Sequence, residues 1–250
     1  LPNRWHPVAW LGAGAGWLVG RWCRQAGFLG LATEALALKQ ALALRGLLAH
    51  GEAVRRALDG GDLERARAAV GWMVSRPTEG LPAHLVASAA IESVAENLSD
   101  SVVAPAAWYL AARLPGALGY RAANTLDAMV GYPGRGRFGM VPARLDDVLN
   151  LVPARLTAVL LASVLPRAAG AWGAAIRDAG TTPSPNAGWP MAAMAHGLDV
   201  RLEKRGHHVL NGSGRSPGAT EIAHAERAAV CAVVVGFAGL GAAVLAGRRR

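Results

Sequence analysis

Lysine, cysteine and the ring-bearing residues other than tryptophan are scarce in this chain. Lys39 and Lys204 are its lysines, Cys23 and Cys231 its cysteines, and Phe and Tyr number three each. Two cysteines so far apart, with no CxxC pair and no Cys/His cluster of zinc spacing, argue against a disulfide framework or a structural zinc. The net charge of +9 and the pI near 10.9 come from scattered arginines without a reader motif, which speaks against nucleic acid and leaves anionic lipid or an anionic substrate. No GxxxxGK[ST] loop and no kinase motif set occur, so an ATP site here is of another design. Strand alternation and internal repeats are also missing, which predicts an all-α fold.

Charge is the other shortage. Only 17% of the residues are charged, 52% are hydrophobic, and the mean hydropathy is +0.25, on the membrane side of an ordinary soluble enzyme. Ala, Leu, Val and Gly dominate, a mixture suited to helices whose small residues permit close approach. The expected architecture is a polytopic membrane helical bundle with amphipathic or interfacial helices, forming one integral-membrane domain over residues 1–250. Ala228–Ala246 carries no charge, is long enough to span a bilayer, and is followed by Arg248–Arg250, which argues for a cytoplasmic C-terminus. Leu145–Leu165 and Val102–Leu118 are further candidate spans, the latter interrupted by Arg113 and Pro115. Phe28–His50 reads as a long helix, buried or interfacial because of Glu34, Lys39 and Arg45, and Val8–Val19 is too short to cross alone. Residues 201–227 read as a variable polar connector before the last helix. The expected location is the bacterial inner membrane.

Against this background the run IESVAENLSDSVVAP is unusual. Glu92, Glu96 and Asp100 follow one another at intervals of four, so at helical pitch they stack on one face, beside a polar row of Ser93, Asn97 and Ser101. Like charges at that spacing repel, and burial raises their pKa unless a cation binds. A solvated surface helix is the plain alternative, but the apolar flanks favour a place where a metal, a proton or a metal-bound phosphate is handled.

Three more segments carry polar groups. Asn124 and Asp127 share a face near a helix end that Gly131 and Pro133 should close, with Tyr132 at its mouth. Arg135, Arg137 and Phe138 read as a basic loop, after which Ala143–Asp147 should open a helix with Asp146 and Asp147 in its first turn, where the helix dipole accounts for part of their presence. Asn150 lies four residues beyond Asp146, and Arg144 and Arg155 flank the group; acids for a metal and arginines for phosphate are the usual equipment of phosphoryl transfer. Ser184 and Asn186 stand in an irregular entry, SPNAGWP, to a small-residue helix. His196, His207 and His208 have no metal-ligand spacing and read as surface or packing residues.

Taken together, AIESVAENLSDSVVAP (90–105), PGALGYRAANTLDAMVGY (115–132), FGMVPARLDDVLNLVPARLTAVLL (138–161) and SPNAGWPMAAMAHGL (184–198), in this order, resemble the CobD/CbiB family, the adenosylcobinamide-phosphate synthases of cobalamin (vitamin B12) biosynthesis. HPVAWLG and ALALRGLLAH are similar to the family's opening, and the likeness runs from about Arg4 to Leu202. It is departed from between Arg21 and Thr33, at the short loop Gly131–Phe138, and after Leu202, where EKRGHHVLNGSGRSPG stands in place of a Gly/Tyr-containing stretch.

The resemblance implies an integral membrane ligase that uses ATP and Mg²⁺ to join the corrinoid adenosylcobyric acid to an aminopropanol, free or phosphorylated. On the matching positions it makes Glu92, Glu96, Asp100, Asp146 and Asp147 the catalytic candidates, with Glu96, Asp100, Asp146 and Asp147 as metal ligands. Arg137, Arg144 and Arg155 would hold phosphate; Asn97, Asn124, Asp127, Tyr132, Asn150, Ser184 and Asn186 would contact substrate. The corrinoid, aminopropanol phosphate, the lipid bilayer, a second copy or other cobalamin-pathway enzymes are the expected partners, and nucleic acid is not. The competing readings are a transporter or ion pathway built on intramembrane acids, and a non-catalytic corrinoid-binding scaffold.

Overall fold

The computed structural model describes residues 7–131 and 136–247. It contains eleven α-helices and one short hairpin among the described residues, so the all-α expectation holds. The chain divides into two compact units, Leu1–Leu44 with Ser99–Pro153, and Arg45–Leu98 with Ala154–Arg250.

The first unit contains α1 (Pro7–Gln25), α2 (Gly27–Ala41), a five-residue π-turn (Ser99–Val103), α6 (Ala104–Val130) and α7 (Gly136–Leu149). Its main joint is α1 on α6, and glycine sets the distance there. A Cβ on Gly12 would lie 2.7 Å from Ala122 Cβ, and one on Gly16 would lie 2.8 Å from the Leu114 carbonyl oxygen. Helices that close need small residues at the crossing, as the composition suggested. The opposite faces of α1 and α2 expose Trp10, Trp17, Trp22, Phe28 and Leu29, an apolar surface suited to lipid.

Helix α6 is not straight. Ala112 and Arg113 leave helical geometry, with Arg113 at φ 56°, two residues before Pro115, whose ring disfavours a helical preceding residue. Arg113 Nη2 donates to Glu34 Oε1 at 3.1 Å, Tyr109 Oη donates to the same oxygen at 2.9 Å, and the guanidinium stacks 4.7 Å from the Tyr109 ring. These contacts fix a backbone conformation that costs a side-chain-bearing residue about 1–2 kcal/mol. The candidate span 102–118 is therefore broken, at the positions its sequence marked.

The second unit contains α3 (Leu44–Asp59), α4 (Leu63–Gly71), α5 (Ala83–Leu98), α8 (Leu151–Val164), α9 (Ala168–Asp178), α10 (Gly188–Leu198), the hairpin β1 (Leu202–Lys204) and β2 (His208–Leu210), and α11 (Ala219–Gly247). Helices α5 and α10 form its centre: Leu85 through Ala95 are all buried on α5, as are Met191 through Ala195 on α10. A helix apolar all round belongs inside a core. Helix α10 ends with Asp199 in the left-handed region and the Val200 N–H donating to the Ala195 carbonyl at 2.9 Å, a closure usually given to glycine.

Asn211, also left-handed and buried, ties this end together. Its side-chain amide donates to the Ala195 and Val200 carbonyls at 3.3 and 3.2 Å, and its backbone N–H donates to Asp178 Oδ2 at 2.9 Å. The hairpin differs from the expected polar connector over 201–227, because three-residue strands are too short for alternation to be visible. Helix α11 then starts within that range, its Glu221 accepting the Gly218 N–H at 2.7 Å in half of a capping box.

Among the described residues, two stretches are long and apolar enough to cross a membrane, Gly27–Asp59 and Ala219–Leu240, and three if the bent pair Gly139–Leu149 and Leu151–Val164 counts as one span. The last helix agrees with expectation; Arg248–Arg250, on which its orientation rested, lie outside the described residues. Gly27–Asp59 qualifies where a buried or interfacial helix over Phe28–His50 was expected, although Leu42 and Ala43 interrupt it between α2 and α3.

One stability test follows from the end of α10. Burial raises the Asp178 carboxyl, but the Asn211 N–H and the His196 ring, 2.8 Å away, outweigh it and hold the group below its ordinary value. A depressed carboxylate stabilises the native state above the unfolded pKa of about 4 and loses that contribution as pH falls through the folded value. Asp178→Asn should lower stability by about 1–2 kcal/mol at neutral pH, since the site is partly solvated. The variant should also flatten the stability loss between about pH 5 and 3 in detergent-unfolding curves.

Candidate functional site

In the first unit the polar segments of the sequence meet. The chain leaves α-helical geometry after Leu98 and makes the wider π-turn Ser99–Val103, a device found at functional sites. The predicted acid row therefore does not continue in register through Asp100. Pro105 accounts for part of this: it has no N–H to offer the carbonyl four residues back, and the Ser101 carbonyl instead accepts the Ala43 N–H at 3.0 Å.

Asp100 on this turn and Asp146 on α7 face the same amide. Asn124 Nδ2, on α6, donates to Asp146 Oδ1 at 3.1 Å and lies 3.5 Å from Asp100 Oδ2. Asn150 Nδ2 donates to the other oxygen of Asp100 in a short contact, and Asn150 Oδ1 accepts from Ser99 Oγ at 3.1 Å. Arg121 Nη1 donates to Asn124 Oδ1 at 3.3 Å and to Ser101 Oγ at 3.2 Å, so the amide is oriented with its NH₂ toward the acids. Three of the four segments singled out by sequence thus supply one cluster: Asp100, Asn124, Asp146 and Asn150.

Tyr120 completes it. The residue is 2% exposed, and its hydroxyl has no hydrogen-bond partner among the described residues. Burial, and then the nearby negative charges of Asp100 and Asp146, push its phenol well above the ordinary range, so it is a protonated donor. Sequence reasoning passed over Tyr120, Arg121 and Ser99; a Tyr and an Arg within YRAAN, one turn before Asn124, were the available signal.

Asp146 and Asp147 do not open a helix. Helix α7 begins at Gly136, carries Pro142 inside, and ends at Leu149, so both acids sit in its last turn, where the dipole disfavours negative charge. The helix start expected at Ala143 lies instead at Gly136, so residues 136–138, expected as loop, belong to the helix. The dipole thus no longer accounts for these acids. Asp127, toward the end of α6, is half-buried, and burial and then the Asp147 carboxylate push its carboxyl up. Gly131 closes α6 as expected, its N–H donating to the Asp127 carbonyl at 2.7 Å. Arg144 is exposed. Tyr132 and Arg135 lie outside the described residues, as does the side chain of Arg137.

The second unit holds the remaining candidates. Glu92 is buried on α5 with both oxygens engaged: Arg76 Nη2 donates to Oε2 at 3.1 Å, and His208 Nε2 lies 3.1 Å from Oε1. Of the two readings of His208, surface or packing, the second holds: its side chain is 5% exposed. Neither partner was legible, Arg76 lying in the loop before α5 and His208 on β2. Asn97 donates to the Ser93 carbonyl at 3.0 Å, and Glu96 is half-buried on the same helix. Asn186 is buried and accepts from Arg155 Nη1 at 3.3 Å, the Arg155 guanidinium lies 4.8 Å from the Trp189 ring, and Ser184 Oγ accepts the backbone N–H groups of Asn186 and Ala187 at 3.2 Å each. Arg155 does not share a helix with Asp146, because the chain breaks at Asn150 before α8.

No group of three or more His, Cys, Asp or Glu side chains is placed to bind a metal among the described residues. The donor set at Asn124 nevertheless fits a hard divalent ion: two carboxylates, with Asp146 Oδ2 unpartnered among the described residues, match the one or two protein ligands that Mg²⁺ takes beside waters and substrate phosphates.

The buried ion network of Glu92 generates a prediction. Glu92→Leu leaves the Arg76 guanidinium without its buried counter-charge and should cost about 3 kcal/mol, whereas the pair Glu92→Leu with Arg76→Met should cost clearly less than these two single changes added. Unfolding of the four proteins in detergent measures this; additive losses would show that the pair is not coupled.

The CobD/Cbib protein family matches residues 17–234 of the chain. A cobalamin biosynthesis protein CobD from Mycobacterium tuberculosis is 39% identical over 98% of this chain and 89% of its own length. A protein of the same name from Dehalococcoides mccartyi is 44% identical over 71% of this chain, and one from Rhodobacter capsulatus is 49% identical over 64%. The chain spans 59% and 52% of the lengths of these last two relatives. No solved structure matches. With the family match covering most of its length, the chain belongs to the CobD/CbiB family of cobalamin biosynthesis proteins.

Proposed function

We propose that the chain is a multi-pass membrane enzyme that couples ATP consumption to amide-bond formation between adenosylcobyric acid and (R)-1-aminopropan-2-ol phosphate, giving adenosylcobinamide phosphate. The observation that carries the reading is the convergence of Asp100 and Asp146, from separate elements, on the single amide of Asn124 beside the unpartnered Tyr120 hydroxyl.

Amide formation needs the corrinoid carboxylate activated, and transfer of a phosphoryl group from ATP gives an acyl phosphate that the amine attacks, releasing phosphate. Mg²⁺ bound at Asp100 and Asp146 would neutralise phosphate charge. The residues of the chain then have distinct tasks. Asn124, held by Arg121, fixes the two carboxylates at a set separation. Asn150 orients Asp100 through one oxygen and leaves the other facing Asn124. Tyr120 offers a hydrogen bond to a ligand oxygen in a site from which water is excluded, where such a donor is worth most. Glu96 and Asp147 are the candidates for taking the proton that the ammonium must lose before it attacks. Arg144, Arg137 and Arg155 are phosphate-holding candidates, and Asn97, Asp127 and Asn186 candidates for the amide-rich corrin periphery.

The test is reconstitution. Full-length protein in detergent with adenosylcobyric acid, aminopropanol phosphate and Mg-ATP should yield adenosylcobinamide phosphate by mass. Asp100→Asn and Asp146→Asn should each lower the rate at least about a hundredfold, the scale of losing one electrostatic contact to a transition state. Asn124→Leu should raise the Mg²⁺ concentration required. Wild-type protein that forms no amide, or acid variants that retain full rate, would overturn the reading; ion flux in liposomes without product would favour a transporter.

A further inference from the structure

Three arginines of the second unit have no task in the proposed reaction, and they meet at one place. A cavity of about 420 Å³ takes its polar lining from Arg167, Asp199, Arg215, His224 and Arg227, and its apolar lining from Val164, Leu165 and Ala228 among others. It lies where the ends of α8 and α10 come against α11.

Two apolar stretches stop at this cavity. On α11, Arg227 is the last charge before residues 228–246, nineteen in a row without one; on α8, residues 156–165 carry none, and Arg167 is the first charge after them. The two helices lie against each other farther along, since a Cβ on Gly236 would be 3.4 Å from Leu160 Cδ1. The end of α8 is seated on α10, where a Cβ on Gly197 would be 2.7 Å from Leu165 Cβ. Leu156 and Val159 on α8, and Val234, Val235 and Phe237 on α11, are exposed, a surface suited to acyl chains. Arg167 and Arg227 therefore stand where both apolar stretches reach the headgroup level, and basic pockets between helices at that level bind anionic lipid.

The charges narrow the class of ligand. Arg167 Nη1 is paired with Asp199 Oδ1 at 2.8 Å and Arg215 Nη1 with Glu221 Oε1 at 2.6 Å, so each arrives with a counter-charge, yet both arginine side chains are more than half exposed. Arg215 Nη2 also donates to the Leu198 carbonyl at 3.4 Å, which holds the guanidinium between the end of α10 and the start of α11. Arg227 is exposed and has no acidic partner among the described residues. Its chain neighbour Glu226 is turned to α3, where a Cβ on Gly51 would lie 2.5 Å from Glu226 Oε1. One positive charge is thus in excess at the cavity. That matches the single charge of a phosphodiester, whereas a phosphate monoester carries nearly two at neutral pH.

We infer that this cavity seats the phosphodiester headgroup of an anionic phospholipid, with Arg227 as its counter-charge and Arg167 and Arg215 as further donors. The inference shares with the proposed function the placement of α8 and α11 in the membrane, and it is independent of ATP, corrinoid and amide formation.

The experiment presents full-length protein in detergent with equal amounts of phosphatidylglycerol and phosphatidylethanolamine in mixed micelles and counts retained lipid by native mass spectrometry. Phosphatidylglycerol should be retained over phosphatidylethanolamine by at least about fivefold, the scale of one basic residue facing an anionic headgroup. Glycerol 3-phosphate and inorganic phosphate should not displace it. Arg227→Ala should abolish the preference and, because the side chain is exposed and unpaired, keep the unfolding midpoint of the parent. Cys231→Trp, at an exposed position that also lines the cavity, should abolish it by filling the space at constant charge, which general attraction to a basic surface would not do. Arg205→Ala, an exposed arginine outside the cavity, should leave it unchanged. Equal retention of the two lipids, a preference that survives either cavity variant, or an equal loss in Arg205→Ala would overturn the inference. Displacement by glycerol 3-phosphate would overturn it as well, since the site would then hold a soluble anion. Protein that stays in solution without detergent would overturn it together with the membrane placement, whereas the other failures leave the proposed reaction standing.

Discussion

The Asn124 amide stands between two carboxylates that would otherwise repel each other inside an apolar helical unit. Charge in such surroundings is tolerated when hydrogen bonds stabilise it or a cation neutralises it. Asp100 and Asp146 receive their hydrogen bonds from amides, at 3.5 and 3.1 Å from Asn124 and in a short contact from Asn150. Amides donate without cancelling charge. These amides fix the geometry of the two carboxylates without themselves neutralising either one. Had Arg121 been aimed at the acids, it would have cancelled one of their two charges and occupied a carboxylate oxygen. It binds the carbonyl end of Asn124 instead, and so acts on the acids only through the amide's orientation.

Glu92 shows the opposite treatment. Its two oxygens are taken by Arg76 and His208, and the side chain is 8% exposed. A buried acid held by a guanidinium on one side and an imidazole ring on the other is a fixed anchor, and its effect is on the partners: it holds Arg76 in place with its Nε unmatched among the described residues. The sequence presents Glu92, Glu96 and Asp100 as three equivalent members of a row. Their surroundings give Glu92 and Asp100 different work, because the π-turn interrupts the row and each unit supplies its own partners.

What was legible follows from what local pattern encodes. The four polar segments were visible because acids and amides in an apolar run conflict with local preference, and such conflicts concentrate at functional sites. Three of them do join in one cluster. The helix end at Gly131 was visible for the same local reasons, its N–H donating to the Asp127 carbonyl at 2.7 Å. The start of α7 was not, since Pro142 reads as a first-turn proline yet lies within the helix. Nor were the partners of Glu92, which lie 16 and 116 residues away; pairing over such separations leaves no periodic trace. The hairpin escaped because three residues per strand carry no period.

In the first unit, polar side chains gather where helices break. The Leu149 carbonyl at the end of α7 accepts the Trp108 indole N–H at 3.0 Å, the Ser101 carbonyl freed by Pro105 accepts the Ala43 N–H at 3.0 Å, and the Arg113 kink is held by Glu34 and Tyr109. An apolar environment demands this, since no water is at hand to satisfy freed backbone groups. The same breaks place Asp100 and Asp146 side by side, one on a π-turn and the other in a final helical turn. A conduction route would need titratable groups distributed along the depth of several spans. Asp100 and Asp146 lie instead at helix breaks, fixed by amides beside a buried phenol, a local grouping that favours the proposed binding centre over a route.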